Sequence, residues 1–224
     1  MSRIALIHAT RVAIDPIEVA VRRHWPEVEA VSIMDEGLSV DRQASAGLSP
    51  ALHGRIADLT SYAERMGADG ILFTCSAFGC AIDAAAQNSR VPVLKPNEAM
   101  FDAAFVYGNR VAMIYTFQPA RQTMEAEFAD AARTRGSAAR LSSYFCEAAL
   151  DAKRAGDDAS HDRIVAETAR GIRCADVILL AQFSMSGAAD MVCAVGSTPV
   201  LTAPDAAIVA LRRRVEAGAR QQAC

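Results

Sequence analysis

Short apolar runs rich in β-branched residues alternate along this chain with longer segments whose apolar positions recur at helical spacing, the pattern of a parallel α/β protein. In the first half this predicts strands at 3–7, 28–33, 70–74 and 91–94, with helices near 16–24, 50–67 and 76–87. The second half predicts strands near 110–115, 138–143, 176–180 and 198–201, with helices near 119–134, 160–173 and 185–193. Further helices are expected near 97–106 and 204–217. Ser49-Pro50 puts a capping hydroxyl before a helix-starting proline, and Gly67 sits where that helix should stop. The polar, turn-forming stretch 150–160 reads as a loop.

The two halves share more than a pattern. Arg3-Ile4-Ala5-Leu6-Ile7 matches Arg110-Val111-Ala112-Met113-Ile114, and Ala68-Asp69-Gly70-Ile71-Leu72 matches Ala175-Asp176-Val177-Ile178-Leu179. Pro92-Val93-Leu94 likewise falls on Pro199-Val200-Leu201, so that position n meets position n + 107 in every case. Over residues 3–10, 68–75 and 91–99, 11 of 25 positions are identical at that offset. One constant offset across three separated segments implies internal duplication. The expected architecture is therefore two pseudo-symmetric α/β lobes, each a four-stranded parallel sheet flanked by helices, with the active cleft between the lobes. The first lobe would take residues 1–97 plus 204–224, and the second residues 98–203.

Open parallel sheets bind ligands outside the carboxyl ends of their strands, where amides of the following helices collect. Phe73-Thr74-Cys75-Ser76 lies at such an end, so Cys75 should meet free N–H groups that favour a thiolate, or else be a small packed residue. Cys80, further into the helix, reads as core. His8 ends the first strand and would neighbour Cys75, either sharing its proton or serving as a hydrogen-bonded wall. The strand-end hydroxyls Thr10, Thr74, Ser76 and Thr116 suit a carboxylate, although hydroxyls also cap helices. Asp35 and Glu36 follow the second strand and either touch substrate or solvate the loop, the loop reading being favoured.

Composition narrows the partners. Hydrophobic residues make up 52% of the 224 positions and charged residues 22%, a globular balance with no apolar run long enough to span a bilayer. The expectation is a cytoplasmic protein without a membrane partner. Net charge is −3 with no basic block interleaved with aromatics, which argues against nucleic acid. Cys75, Cys80, Cys146, Cys174, Cys193 and Cys224 lack paired metal-ligand spacing, and the four histidines are dispersed, so neither a metal nor a disulfide scaffold is expected. Only Lys95 and Lys153 are available for a pyridoxal phosphate linkage, and neither has a phosphate loop nearby. A homo-oligomer is left open.

Together the duplicated lobes, Ile71-Leu72-Phe73-Thr74-Cys75-Ser76 and Arg110-Val111-Ala112-Met113-Ile114-Tyr115-Thr116 resemble the aspartate/glutamate racemase superfamily. That group includes glutamate, aspartate and hydantoin racemases, maleate isomerase and arylmalonate decarboxylase. The resemblance implies a small carboxylate substrate, no cofactor, and proton transfer at its α-carbon by one cysteine from each lobe. This chain departs from the pattern. Its second motif, Leu180-Ala181-Gln182-Phe183-Ser184, puts Gln182 where the second cysteine would stand and Ser184 near a second histidine. The resemblance thus implies a one-sided enzyme, a racemase-like isomerase or a decarboxylase, with Cys75 and His8 catalytic and Thr10, Thr74, Ser76, Thr116, Gln182, Phe183 and Ser184 binding substrate. The alternative is a noncatalytic protein that binds small carboxylates.

Overall fold

A computed structural model describes residues 1–222, so Cys224 lies outside the described residues. Two parallel four-stranded sheets carry the fold. The first contains β1 (Arg3–His8), β2 (Glu29–Met34), β3 (Gly70–Phe73) and β4 (Val93–Leu94), in the order β2-β1-β3-β4. The second contains β5 (Arg110–Tyr115), β6 (Arg140–Phe145), β7 (Val177–Leu180) and β8 (Val200–Thr202), in the order β6-β5-β7-β8. Crossover helices cover the sheets, which explains the sequence pattern: β3 and β7 are buried throughout and read as unbroken apolar runs. The edge strand β2 keeps exposed positions.

Around the first sheet run α1 (Ile14–His24), α2 (Gly37–Ala44), α3 (Pro50–Arg65) and α4 (Gly79–Asn88). Around the second run α5 (Glu98–Ala104), α6 (Arg121–Thr134), α7 (Glu147–Arg154), α8 (Asp158–Arg170) and α9 (Ala189–Ala194). The last element, α10 (Ala203–Gln222), follows β8. Ser49 Oγ accepts the Leu52 N–H at 3.3 Å ahead of Pro50, and Gly67 takes φ +81° just past α3.

Three expectations need correction. The stretch 150–160 is mostly helical: α7 ends at Arg154 and α8 begins at Asp158. Its turn-formers are helix punctuation, since Gly156 takes φ +78° after α7 and Asp157 caps α8 by accepting the Ser160 N–H at 3.0 Å. The helix α2 has no counterpart among the expected elements. Cys80 is exposed on α4 rather than core.

Strand pairing gives the internal register. Ile4 pairs with Gly70 and Ile71 with Val93, while Val111 pairs with Val177 and Ile178 with Val200, so the pairs of one sheet map onto those of the other at the offset of the sequence repeat. The outer strands differ, because Arg3 pairs with Glu29 but Arg110 with Arg140, which sets β6 four residues beyond the position that the repeat assigns. The same reciprocal clamp starts both central pairs. Arg3 N–H donates to the Asp69 carboxylate and Asp69 N–H returns to Arg3 C=O, at 2.8 and 2.7 Å. Arg110 and Asp176 repeat it at 2.9 and 2.7 Å. Hydrogen bonds from Arg110 hold the Asp176 carboxyl down at about 2.

The chain divides into two compact units, residues 1–96 with 204 onward, and residues 97–203. Chain order and packing therefore disagree at two helices. α5 follows β4 yet belongs to the second unit, where Phe101 meets Phe128 of α6 edge to face at 5.5 Å. α10 follows β8 yet closes the first unit. Leu211 and Val215 lie where a Cβ on Gly70 would intrude, the Val215 side chain at 2.7 Å, so β3 starts with glycine to admit α10.

Candidate active site

In the first unit, β3 ends at Phe73 and the chain passes through Thr74 and Cys75 into a short 3-10 turn, Ser76–Phe78, ahead of α4. That turn aims the Ala77 N–H at the Cys75 sulfur. A second group reaches the same peptide. Arg42 of α2 is buried and donates from Nε to Ala77 C=O at 3.3 Å and from Nη1 to Ser45 C=O at 3.1 Å, placing a guanidinium charge close enough to act on Cys75. Leu38 and Arg42, four apart, form the buried face of α2. That spacing is the only sequence signal for this cation.

The expected thiolate is not the resting form. Burial pushes the Cys75 thiol up to about 11, and the Ala77 N–H and the Arg42 charge offset only part of that effect. Helix-entrance amides lower a thiol's pKa where the sulfur stays hydrated, and here the surrounding protein outweighs them. Cys75 keeps some surface by area, so it can be reached, but as a thiol.

His8 also differs from expectation. Its ring is fully buried, with Nδ1 2.9 Å from Thr74 Oγ1 and Nε2 3.1 Å from Ser32 Oγ. Thr74 Oγ1 donates to Ile7 C=O at 3.3 Å, which leaves it to accept from Nδ1–H, and the Ser32 hydroxyl then donates to Nε2. Both nitrogens are used by hydroxyls, so His8 reaches Cys75 only through the neighbouring Thr74. The direct proton-sharing pair is thus corrected to a neutral imidazole that fixes Thr74. Burial lowers the His8 pKa to about 4.

That shift sets an acid limit on the fold. Between pH 6.5 and 4 the unfolded chain binds a proton that native His8 refuses, so stability falls as pH drops through this window and the loss is complete below about 4. The size is about 3 kcal/mol. Urea unfolding of wild type and His8→Gln from pH 7 to 4 should show wild type losing that much more; parallel pH profiles would refute a neutral buried His8.

The second unit builds a different strand end. Gln182 occupies the position that the repeat assigns to Cys75, and its Oε1 accepts the Thr116 N–H at 2.9 Å and the Thr116 hydroxyl at 3.4 Å. Its Nε2 lies 3.8 Å from Met124 Sδ. The amide is thus spent within its own unit. Tyr115 is the counterpart of His8 in the repeat and donates its hydroxyl to Gln118 at 2.9 Å.

Among the remaining expected ligands, Phe183 is corrected: it is a fully buried core ring with no surface to offer. Ser76 and Ser184 are buried beside their strand ends. Thr10 is partly exposed, and its hydroxyl caps nothing. Asp35 is held by Arg55 and Glu36 by Arg11, which leaves both as loop structure. Among the described residues no three His, Cys, Asp or Glu side chains are placed to hold a metal, and no helix is long and apolar enough to cross a membrane.

Fold and strand ends together define a class, the racemase-type α/β proteins with twin parallel sheets. The Asp/Glu/hydantoin racemase family model matches residues 17–211, and the chain belongs to that family. Solved structures agree on the fold. Glutamate racemase RacE1 of Bacillus anthracis is 13% identical with TM-score 0.75, covering 97% of this chain and 82% of that one. Aspartate racemase of Picrophilus torridus is 16% identical with TM-score 0.72, covering 96% and 95%. A doubly substituted arylmalonate decarboxylase in its liganded form is 14% identical with TM-score 0.64, covering 96% and 93%. No curated protein matches the chain in sequence.

Proposed function

We propose that this protein is a cofactor-independent enzyme in which Cys75 donates a proton to the α-carbon of a small carboxylate. The carrying observation is the asymmetry of two equivalent positions: residue 75 is a thiol held protonated by burial, and residue 182 is an amide already bound to Thr116. A protonated thiol is equipped to act as an acid, and a carboxamide cannot exchange a proton usefully. The favoured reaction is decarboxylation of a substituted malonate. The bond to one carboxylate breaks, carbon dioxide leaves, and its electron pair forms an enolate on the remaining carboxylate. The S–H proton of Cys75 then passes to the α-carbon. The thiolate left behind is stabilised by the Ala77 N–H and by Arg42, and solvent returns its proton. Isomerase chemistry would start instead from a thiolate, which burial opposes.

No pyridoxal step enters this reading. Thr10 and Ser76 of the first unit remain proposed contacts for the carboxylate, whereas both Thr116 donors are spent on Gln182. Proton NMR in deuterated water, with aspartate, glutamate, hydantoins and substituted malonates, tests the proposal. Expected is decarboxylation of a malonate with one deuteron delivered to one face, giving a single enantiomer. Racemic product, or interconversion of both enantiomers of an amino acid, would overturn it. The second reading, noncatalytic carboxylate binding, rests on position 182, where an amide that exchanges no proton stands in the place of a second cysteine. It predicts ligand-induced shifts with no turnover of any compound.

A further inference from the structure

We propose that Cys80 and His53 form a second thiol site, independent of the reaction above, which exchanges with small peptidic disulfides seated in the groove between α3 and α4. Cys80 is exposed in the first turn of α4, and its sulfur lies 3.8 Å from His53 Nε2 on α3. The imidazole is a proton acceptor within reach of the thiol, the arrangement that activates a cysteine nucleophile. Depth in the helix suggests a core position for Cys80, but the face it occupies points outward.

His53 opens onto a groove of about 330 Å³, lined also by Ala57, Ser61 and Glu64 of α3 and by Ala81 and Ala84 of α4, and Cys80 sits at its edge, next to Ala81 in the chain. Small side chains leave room for a ligand there. At the far end, Glu64 Oε1 accepts from Ser89 Oγ and from the Arg90 N–H, interactions that keep its pKa low and its carboxylate charged. His53 and Glu64 are eleven residues apart on α3, a rise of about 16 Å along the helix that lines the groove. A tripeptide-sized thiol with its sulfur at Cys80 would extend its ammonium end along the groove toward the Glu64 carboxylate.

The exchange is balanced without another reactant. The Cys80 proton moves to His53, the thiolate attacks one sulfur of the disulfide, a new S–S bond forms to Cys80, and the old S–S bond breaks to release a thiolate, which takes the proton. Burial pushes the Cys75 thiol up and so disfavours it in this chemistry, and Cys146 is buried with its sulfur 3.2 Å from Thr168 Oγ1. Cys174 and Cys193 are exposed and serve as internal controls.

The test treats the full chain with oxidised glutathione under native conditions and maps the mixed disulfides by peptide mass spectrometry over time. Cys80 should be modified at least about tenfold faster than Cys174 or Cys193, a modest share of what a positioned base can supply. His53→Ala and His53→Gln should each remove that advantage without changing the two controls. Glu64→Gln should slow glutathione exchange roughly threefold, the scale of an exposed ion pair, and leave exchange with neutral hydroxyethyl disulfide unchanged. Equal rates at Cys80 and the controls, or a rate indifferent to His53, would overturn the activated pair. Equal slowing of both disulfides by Glu64→Gln would overturn the peptidic ligand.

Discussion

Replacing Cys75 with alanine is expected to lower product formation from an active substrate by about 10²–10⁴-fold, the range assigned to a positioned proton donor. On the proposed mechanism the loss should appear in kcat, because the thiol would act on the carbanion as it forms and add little to ground-state binding. Folding should be spared, since Cys75 keeps partial exposure and its backbone is ordinary extended chain. Circular dichroism and substrate-detected NMR on the same sample separate the two effects. Cys75→Ser should be nearly as inactive, because a hydroxyl is a far weaker acid than even a thiol pushed up to about 11. Retention of more than about a tenth of the rate by either variant would move the proton donor elsewhere.

Phe101→Ala should be strongly destabilising, at about 3–5 kcal/mol. The ring is fully buried on α5 and meets Phe128 edge to face, with Phe105 packed on Phe128 at 5.2 Å. Truncation removes the largest apolar contribution that α5 makes to its unit and leaves a cavity that the surrounding rings can fill only in part. Domains are stable by about 5–15 kcal/mol, so a loss of this size would shift the urea midpoint well below that of wild type. A change under about 1 kcal/mol would show that α5 is not anchored there.

What can be read from the chain follows from burial. Strands β1, β3, β5 and β7 are covered on both faces and announce themselves as apolar runs, and the shared register of their clamps is visible as Arg3 and Asp69 recurring at Arg110 and Asp176. The outer strand β6 is four residues out of that register, because an edge strand tolerates longer crossovers. α2 is hard to see because eight residues with two buried positions give little periodicity. The turn residues around Gly156 and Asp157 signal two helix ends rather than a loop.

At the site, the positions of Cys75 and His8 are legible in the sequence and their protonation states are not. A sequence shows that a cysteine precedes a helix, but the balance of desolvation against Arg42 and one amide is set by residues from other parts of the chain. The same holds for His8, whose partners Ser32 and Thr74 come from neighbouring strands. Register alone points to Gln182, and its bond to Thr116 is visible only in three dimensions.

The placement of α10 has a consequence for how the protein is made. β3 requires Leu211 and Val215 over Gly70, and α1 requires Asp205, which bonds His24 at 2.9 Å. These partners stand at opposite ends of the chain, and every residue of the second unit is synthesised between them. At translation rates of roughly 5–20 residues per second, the first sheet waits on the order of 5–20 s on the ribosome with one face of β3 uncovered. The second unit suffers no such delay, since α5 precedes its strands. The unit encoded first is therefore the one completed last, and nascent chains should depend on chaperones for the interval in which β3 lacks its closing helix.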